Sequence, residues 1–275
     1  MRQLNETGDA NATWHQQPKQ ANRLILLGAS NLTLSLRLVI QQAQHYCGRP
    51  SEVLVAAGHG RSYGESSQVL VRELPGIIAS GLWSQLDAGN ARPTYALLTD
   101  IGNDILYGFM PHQILQWIAW CVEQLQKHSV HIVMTNLPIA SIESLPEWRY
   151  QLFRNLFYPS CQLSRSEAVE RARAVHRGLI ELAARKQCVL CEQHPEWMSA
   201  DGIHYAYGKR QELYHHICAY FSVMRDQLGL AEDKQLFPQI WLQRPQFAYK
   251  KVWGKEKRCP QPSGLLTDKT VVFLY

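Results

Sequence analysis

The chain has 275 residues, 46% of them hydrophobic and 19% charged, with a formal net charge of +5. That suffices for one α/β core with an extension, and it excludes a disordered or bilayer-spanning chain. Seven cysteines, an odd count, read as reduced thiols, and the polar stretch from Met1 to Gln20 has no apolar secretory core, so a cytoplasmic location is expected.

In chain order, residues 1–21 are Asn-, Gln- and Thr-rich without periodicity and read as a flexible arm. Arg23 to Leu27 is a short apolar run that suits a strand buried on both faces, and it ends in Gly28-Ala29-Ser30. Helical spacing follows over 33–46, then a second apolar run, Val53 to Ala57, ending at Gly58. Leu70 to Ser80 is predicted helical. Tyr95 to Thr99 is a third strand, Pro111 opens a helix with the stripe Ile114, Ile118, Cys121, Val122 and Leu125, and Val130 to Thr135 is a fourth strand. Ser166 to Lys186 reads as a long charged helix, Val189-Leu190 as part of a fifth strand, and Gly208 to Met224 as a last helix.

Strand alternating with helix five times predicts a five-stranded parallel, doubly wound sheet in a three-layer α/β/α sandwich, over residues 22–226. Residues 227–275, rich in Gln, Lys and Pro and ending in Val271 to Leu274, are expected to pack back on that core as an extension. In such sheets the ligand site lies outside the C-terminal strand ends.

Four short motifs sit there or close by. Ser30 follows the first strand, where its hydroxyl stands near unpaired helix N–H groups; the plain alternative is a helix cap. Gly58-His59-Gly60 follows the second strand, and glycine lets a backbone N–H approach a substrate oxygen. Gly102-Asn103-Asp104 follows the third, where a side-chain amide supplies a neutral donor. In Asp201-Gly202-Ile203-His204 the carboxylate can turn back to the ring N–H of His204 and orient it as a base. Together these supply what acyl transfer needs: nucleophile, base, carboxylate and oxyanion donors.

In these motifs the chain resembles the SGNH/GDSL hydrolase superfamily, over roughly Leu24 to Met224. The resemblance implies the flavodoxin-like fold of that group, with Ser30 as nucleophile, Gly60 and Asn103 with the Ser30 N–H as oxyanion hole, and Asp201 and His204 completing a triad. Gly58 remains open beside Gly60. Ala29 stands where the family usually carries Asp, so contacts at the start of the first helix must differ. The implied activity is hydrolysis of a carboxylic ester or thioester through an acyl-enzyme. Acyl transfer to an alcohol or sugar, and an inactive binding protein of the same fold, are the alternatives.

Other features are read differently. Cys188, Cys191 and His194 lack a second ligand pair, so no metal is expected, and the proposed chemistry needs no cofactor. The segment Leu145 to Cys161 carries Trp148, Tyr150, Phe153, Phe157 and Tyr158; it is either an aromatic wall of the site or an amphipathic helix with its rings packed inward. On the first reading Trp148 and Phe153, with Asn31 beside the nucleophile, contact substrate. The late cluster Lys250, Lys251, Lys255, Lys257 and Arg258 reads as a solvated face. The expected partner is a small-molecule ester, with no nucleic acid and no stable membrane insertion; the sequence leaves oligomeric state open.

Overall fold

The computed structural model describes residues 20–89, 91–128, 130–222 and 239–275. Most of the expected arm and the end of the expected helix at 208–224 lie outside them. The chain begins with β1 (Asn22–Leu27), α1 (Ser30–Cys47) and β2 (Ser51–Ala56). A hairpin of β3 (Ser67–Val69) and β4 (Arg72–Leu74) follows, then α2 (Leu82–Ala88), β5 (Thr94–Leu98) and the single turn α3 (Asn103–Leu106). Next come α4 (Pro111–Gln126), β6 (His131–Thr135), α5 (Ile139–Ser144), α6 (Glu147–Phe157), α7 (Arg165–Lys186), β7 (Val189–Cys191) and α8 (Arg210–Ala219). Five more strands close the chain: β8 (Trp241–Gln243), β9 (Tyr249–Val252), β10 (Lys255–Arg258), β11 (Gly264–Leu266) and β12 (Val271–Leu274).

The expected five parallel strands are present, in the order β7-β6-β5-β1-β2, but the sheet is larger and mixed. It has eight strands, because β12 pairs in parallel with β2 and carries antiparallel β11 and β8 beyond it. The apolar run Val271 to Leu274 therefore enters the sheet itself, with Val272 opposite Val53 and Phe273 opposite Leu54. Strands β1 and β5 are buried along their whole length, as expected of a sheet covered on both faces.

Alternation along the strands divides the core in two. Ile25 and Leu27 face one cluster with Ile114, Ile118, Val175 and Leu179 of α4 and α7. Leu24 and Leu26 face the other, with Val39, Ile40, Leu213 and Ile217 of α1 and α8. Each such fully buried side chain contributes about 1.5–3 kcal/mol relative to exposure. The α7 N-terminus carries a reciprocal cap: the Ser164 hydroxyl accepts from the Glu167 N–H, and the Glu167 carboxylate accepts from the Ser164 N–H.

The prediction of helix over Leu70 to Ser80 is overturned. Val69 and Arg72 flank the turn of a hairpin, Pro75 ends it, and only a 3₁₀ turn at Ile77–Ala79 follows. The β-branched Val69 and Val71 and the closing Pro75 favour a short ladder over a helix. This hairpin pairs with β9, and β10 completes a second sheet in the order β10-β9-β4-β3.

Candidate active site

Ser30 is the first residue of α1 and follows β1 by two residues, so the sheet edge and the helix N-terminus present it together. Its Oγ lies 2.8 Å from His204 Nε2. His204 Nδ1 lies 2.6 Å from Asp201 Oδ2. The other Asp201 oxygen accepts from Ser199 Oγ at 2.7 Å and from the backbone N–H groups of His204 at 2.9 Å and Ile203 at 3.1 Å. Gly202, at φ +77°, makes the turn that lets Asp201 reach back to the ring. Burial would raise the Asp201 carboxyl, but its hydrogen bonds from His204 and Ser199 outweigh that and hold it well below the usual range. The ionised carboxylate accepts from Nδ1–H, which leaves Nε2 as acceptor for the Ser30 hydroxyl proton.

Asp100 is the participant that the sequence reading missed. It lies two residues past β5 at φ +61°, and its partly buried carboxylate accepts from the N–H of Ala29 at 2.8 Å and of Leu32 at 3.2 Å. Burial raises its pKa, opposed by these bonds and by the Asn31 amide. The start of α1 is thus capped by a carboxylate about seventy residues away, while Ala29 makes no side-chain cap. An acid after an apolar strand was the only local signal.

Asn31 lines the cavity, but its amide is fully engaged. Nδ2 donates to Asp100 Oδ1 at 2.8 Å and to the Ile203 carbonyl at 3.0 Å, and Oδ1 accepts from the Tyr205 N–H at 2.9 Å. Asn31 thereby ties the helix that begins at Ser30 to the loop bearing His204.

Asn103 opens α3 and shares the cavity with Ser30. Its Oδ1 accepts from the Tyr158 hydroxyl at 2.9 Å, which orients the amide, and its Nδ2 is buried without an acceptor. Gly60 takes φ +62°, and its carbonyl accepts from the Tyr107 hydroxyl at 2.5 Å. The two tyrosine rings pack edge to face at 5.2 Å, so Gly60 and Asn103 hang on one aromatic pair. Neither Gly58 nor Gly60 lines the cavity. Below them Asp104, fully buried and with its pKa pushed up to about 6 by burial, accepts from Ser62 Oγ and the Tyr63 N–H and pins the loop after Gly60 to α3.

The remaining walls come from α6 and α7, including Phe153, Phe157, Val169 and Ala172, with Leu137 and Ile142 opposite. Phe153 stacks on Phe157, whose ring meets His204 edge-on at 5.6 Å. The two readings of 145–161 are both partly met: it is an amphipathic helix, and its inward rings line the cavity. Trp148 is corrected. It is 62% exposed, lies under the Arg149 guanidinium and does not line the cavity. Its place in the first turn of α6 turns it away from the face that carries Tyr150, Phe153 and Phe157.

Burial raises the Cys188 thiol to about 11 and that of Cys191 to about 12, while His194 packs on Trp197. Among the described residues no group of three His, Cys, Asp or Glu side chains is placed to hold a metal ion.

No protein-family model matches the chain, and no curated protein matches it. One solved structure superposes with a TM-score of 0.54 at 14% identity, over 76% of this chain and 99% of that one. Looser likenesses are to the psychrotrophic esterase EstA from Pseudoalteromonas sp. (14% identity, 76% and 100% of the two chains, TM-score 0.42) and to a member of the lipolytic protein G-D-S-L family from Veillonella parvula (12%, 74% and 97%, TM-score 0.44). The similarity is one of fold.

Proposed function

We propose that the chain is a serine hydrolase of carboxylic esters or thioesters. The observation that carries this reading is the line Ser30–His204–Asp201 ending in a cavity where a buried, unpartnered amide N–H of Asn103 waits. In the proposed reaction His204 Nε2 takes the Ser30 proton as Oγ attacks the carbonyl carbon. The tetrahedral oxyanion rests on Asn103 Nδ2 and on the Ser30 N–H, the two expected donors whose residues line the cavity. The proton passes from His204 to the leaving group, and water activated by the same ring releases the acid. The odd count of seven cysteines fits a cytoplasmic enzyme.

A fluorophosphonate probe and a ladder of p-nitrophenyl esters test the reading. Labelling at Ser30 with turnover supports it. An unlabelled Ser30 points to a binding protein of the same fold, and suppression of free-acid release by an added alcohol or sugar points to acyl transfer.

Burial lowers the His204 pKa, but the hydrogen bond and charge of Asp201 more than offset this and raise it above 6.5. The base works only unprotonated. The acid limb of kcat/KM is therefore expected above pH 6.5, with activity rising as pH rises through it. A limb below 6.5 would remove Asp201 as the group that tunes the base.

Phe153→Ala is expected to move the preferred acyl chain to greater length and leave acetyl ester turnover largely intact. Each methylene in an apolar pocket is worth about 1–3 kcal/mol of discrimination. An unchanged chain-length profile with a lower Tm would make Phe153 a packing residue only. Tyr158→Phe removes the hydroxyl that orients Asn103, and kcat is expected to fall about five- to tenfold with KM held. A change in KM alone would show that the hydroxyl serves substrate binding.

A further inference from the structure

The second sheet ends in two hairpin tips set side by side. The turn between β3 and β4 carries Leu70, and the turn between β9 and β10 carries Trp253; the Trp253 N–H donates to the Val71 carbonyl at 3.0 Å. Leu70 is 89% exposed and Trp253 77% exposed. Both hold a φ of 54°, in the left-handed region where two-residue turns ordinarily place Gly or Asn. Each tip therefore bears the backbone cost of a bulky residue in that conformation and the solvation cost of an apolar side chain in water, and neither residue covers the core.

Charge surrounds the tips. Strands β9 and β10 hold Lys250, Lys251, Lys255, Lys257 and Arg258 against a single carboxylate, Glu256. Lys251 pairs with Glu73 and Arg258 with Glu256, while Lys255 and Lys257 make no ion pair among the described residues. The β3–β4 hairpin packs on the loop that follows β2: Val69 leaves no room for a side chain at Gly60, and Arg72 Nη2 donates to the His59 carbonyl at 3.3 Å.

We propose that the paired tips dock the protein reversibly on an anionic lipid surface. Leu70 and Trp253 enter the boundary between headgroups and acyl chains, and Lys255 and Lys257, which make no ion pair among the described residues, face acidic headgroups. A lipid surface fits better than a protein partner. Two narrow protrusions with a cationic collar penetrate a headgroup layer, whereas a stable protein interface needs a broad patch of about 800 Å² on each side. Tryptophan suits the membrane–water interface, and each lysine near it strengthens binding roughly fivefold. No described helix is long and apolar enough to cross a membrane. The docking does not rest on the hydrolase proposal, because vesicle binding is measured without substrate and the two fail separately.

The test is co-sedimentation of the full chain with phosphatidylcholine vesicles, with and without phosphatidylglycerol. Binding to the anionic vesicles is expected to be at least tenfold stronger and to weaken with salt. The double variant Leu70→Gly, Trp253→Asn places in each turn the residue its geometry favours, so Tm should hold or rise while vesicle binding falls at least tenfold. Lys255→Glu with Lys257→Glu should abolish the preference for anionic lipid. Equal binding to both vesicles, binding within twofold of wild type in the tip variant, or a fall in Tm with the loss of binding would each overturn the proposal. Retention of the protein by duplex DNA that ignores the tip substitutions, without vesicle binding, would do so as well.

Discussion

Ser30→Ala is expected to lower kcat on the order of 10⁶-fold on any ester that the wild type turns over, with Tm unchanged. The hydroxyl's hydrogen-bond partner is His204 Nε2, and the cap of α1 comes from Asp100, so deleting Oγ removes no support from the helix. Alanine is also a better helix former than serine. His204→Ala should cost a similar factor, and the double variant should be no worse than either single one, because nucleophile and base act as one unit. Additive losses would mean that the two residues serve separate steps. Activity near wild type in a folded Ser30→Ala protein would end the acyl-enzyme proposal.

Asn103→Ala is expected to lower kcat by roughly 10²–10³ with KM little changed, the usual effect of removing one donor that meets the oxyanion only in the transition state. A competing effect must be separated. Truncation also strands the Tyr158 hydroxyl, which is buried and loses its acceptor, at a stability cost of about 1–3 kcal/mol. Adding Tyr158→Phe to Asn103→Ala removes the stranded group. Recovery of Tm without recovery of kcat assigns the rate loss to the missing amide N–H. Recovery of both would make Asn103 structural.

The sheet and its site were legible where the physics is local. A run such as Leu24 to Leu27 can be buried on both faces only as a central strand, and the residue that ends it must emerge at the sheet edge. The pairing of Asp201 with His204 is likewise a matter of three residues and a glycine turn. What escaped notice is non-local. Asp100 caps a helix seventy residues earlier, and nothing near Asp100 says so. Leu70 to Ser80 reads as helix in sequence because β9, the strand that draws β4 into a ladder, lies about 180 residues further on. Within 145–161 the aromatic content is plain, but which rings line the cavity depends on how α6 lies against α7; Phe153 and Phe157 do and Trp148 does not.

The place of β12 bears on how the chain is made. Strand β2 gains β12 as its outer neighbour only after more than two hundred further residues have been added. At roughly 5–20 residues per second, the outer edge of β2 waits some 10–40 seconds for the strand that covers it. During synthesis that edge, Ser51–Ala56, is an open template of unpaired N–H and carbonyl groups on an apolar strand. A nascent chain arrested before residue 271 would hold every residue of the proposed catalytic line and still expose its stickiest edge. In such a chain, aggregation would set the yield ahead of chemistry.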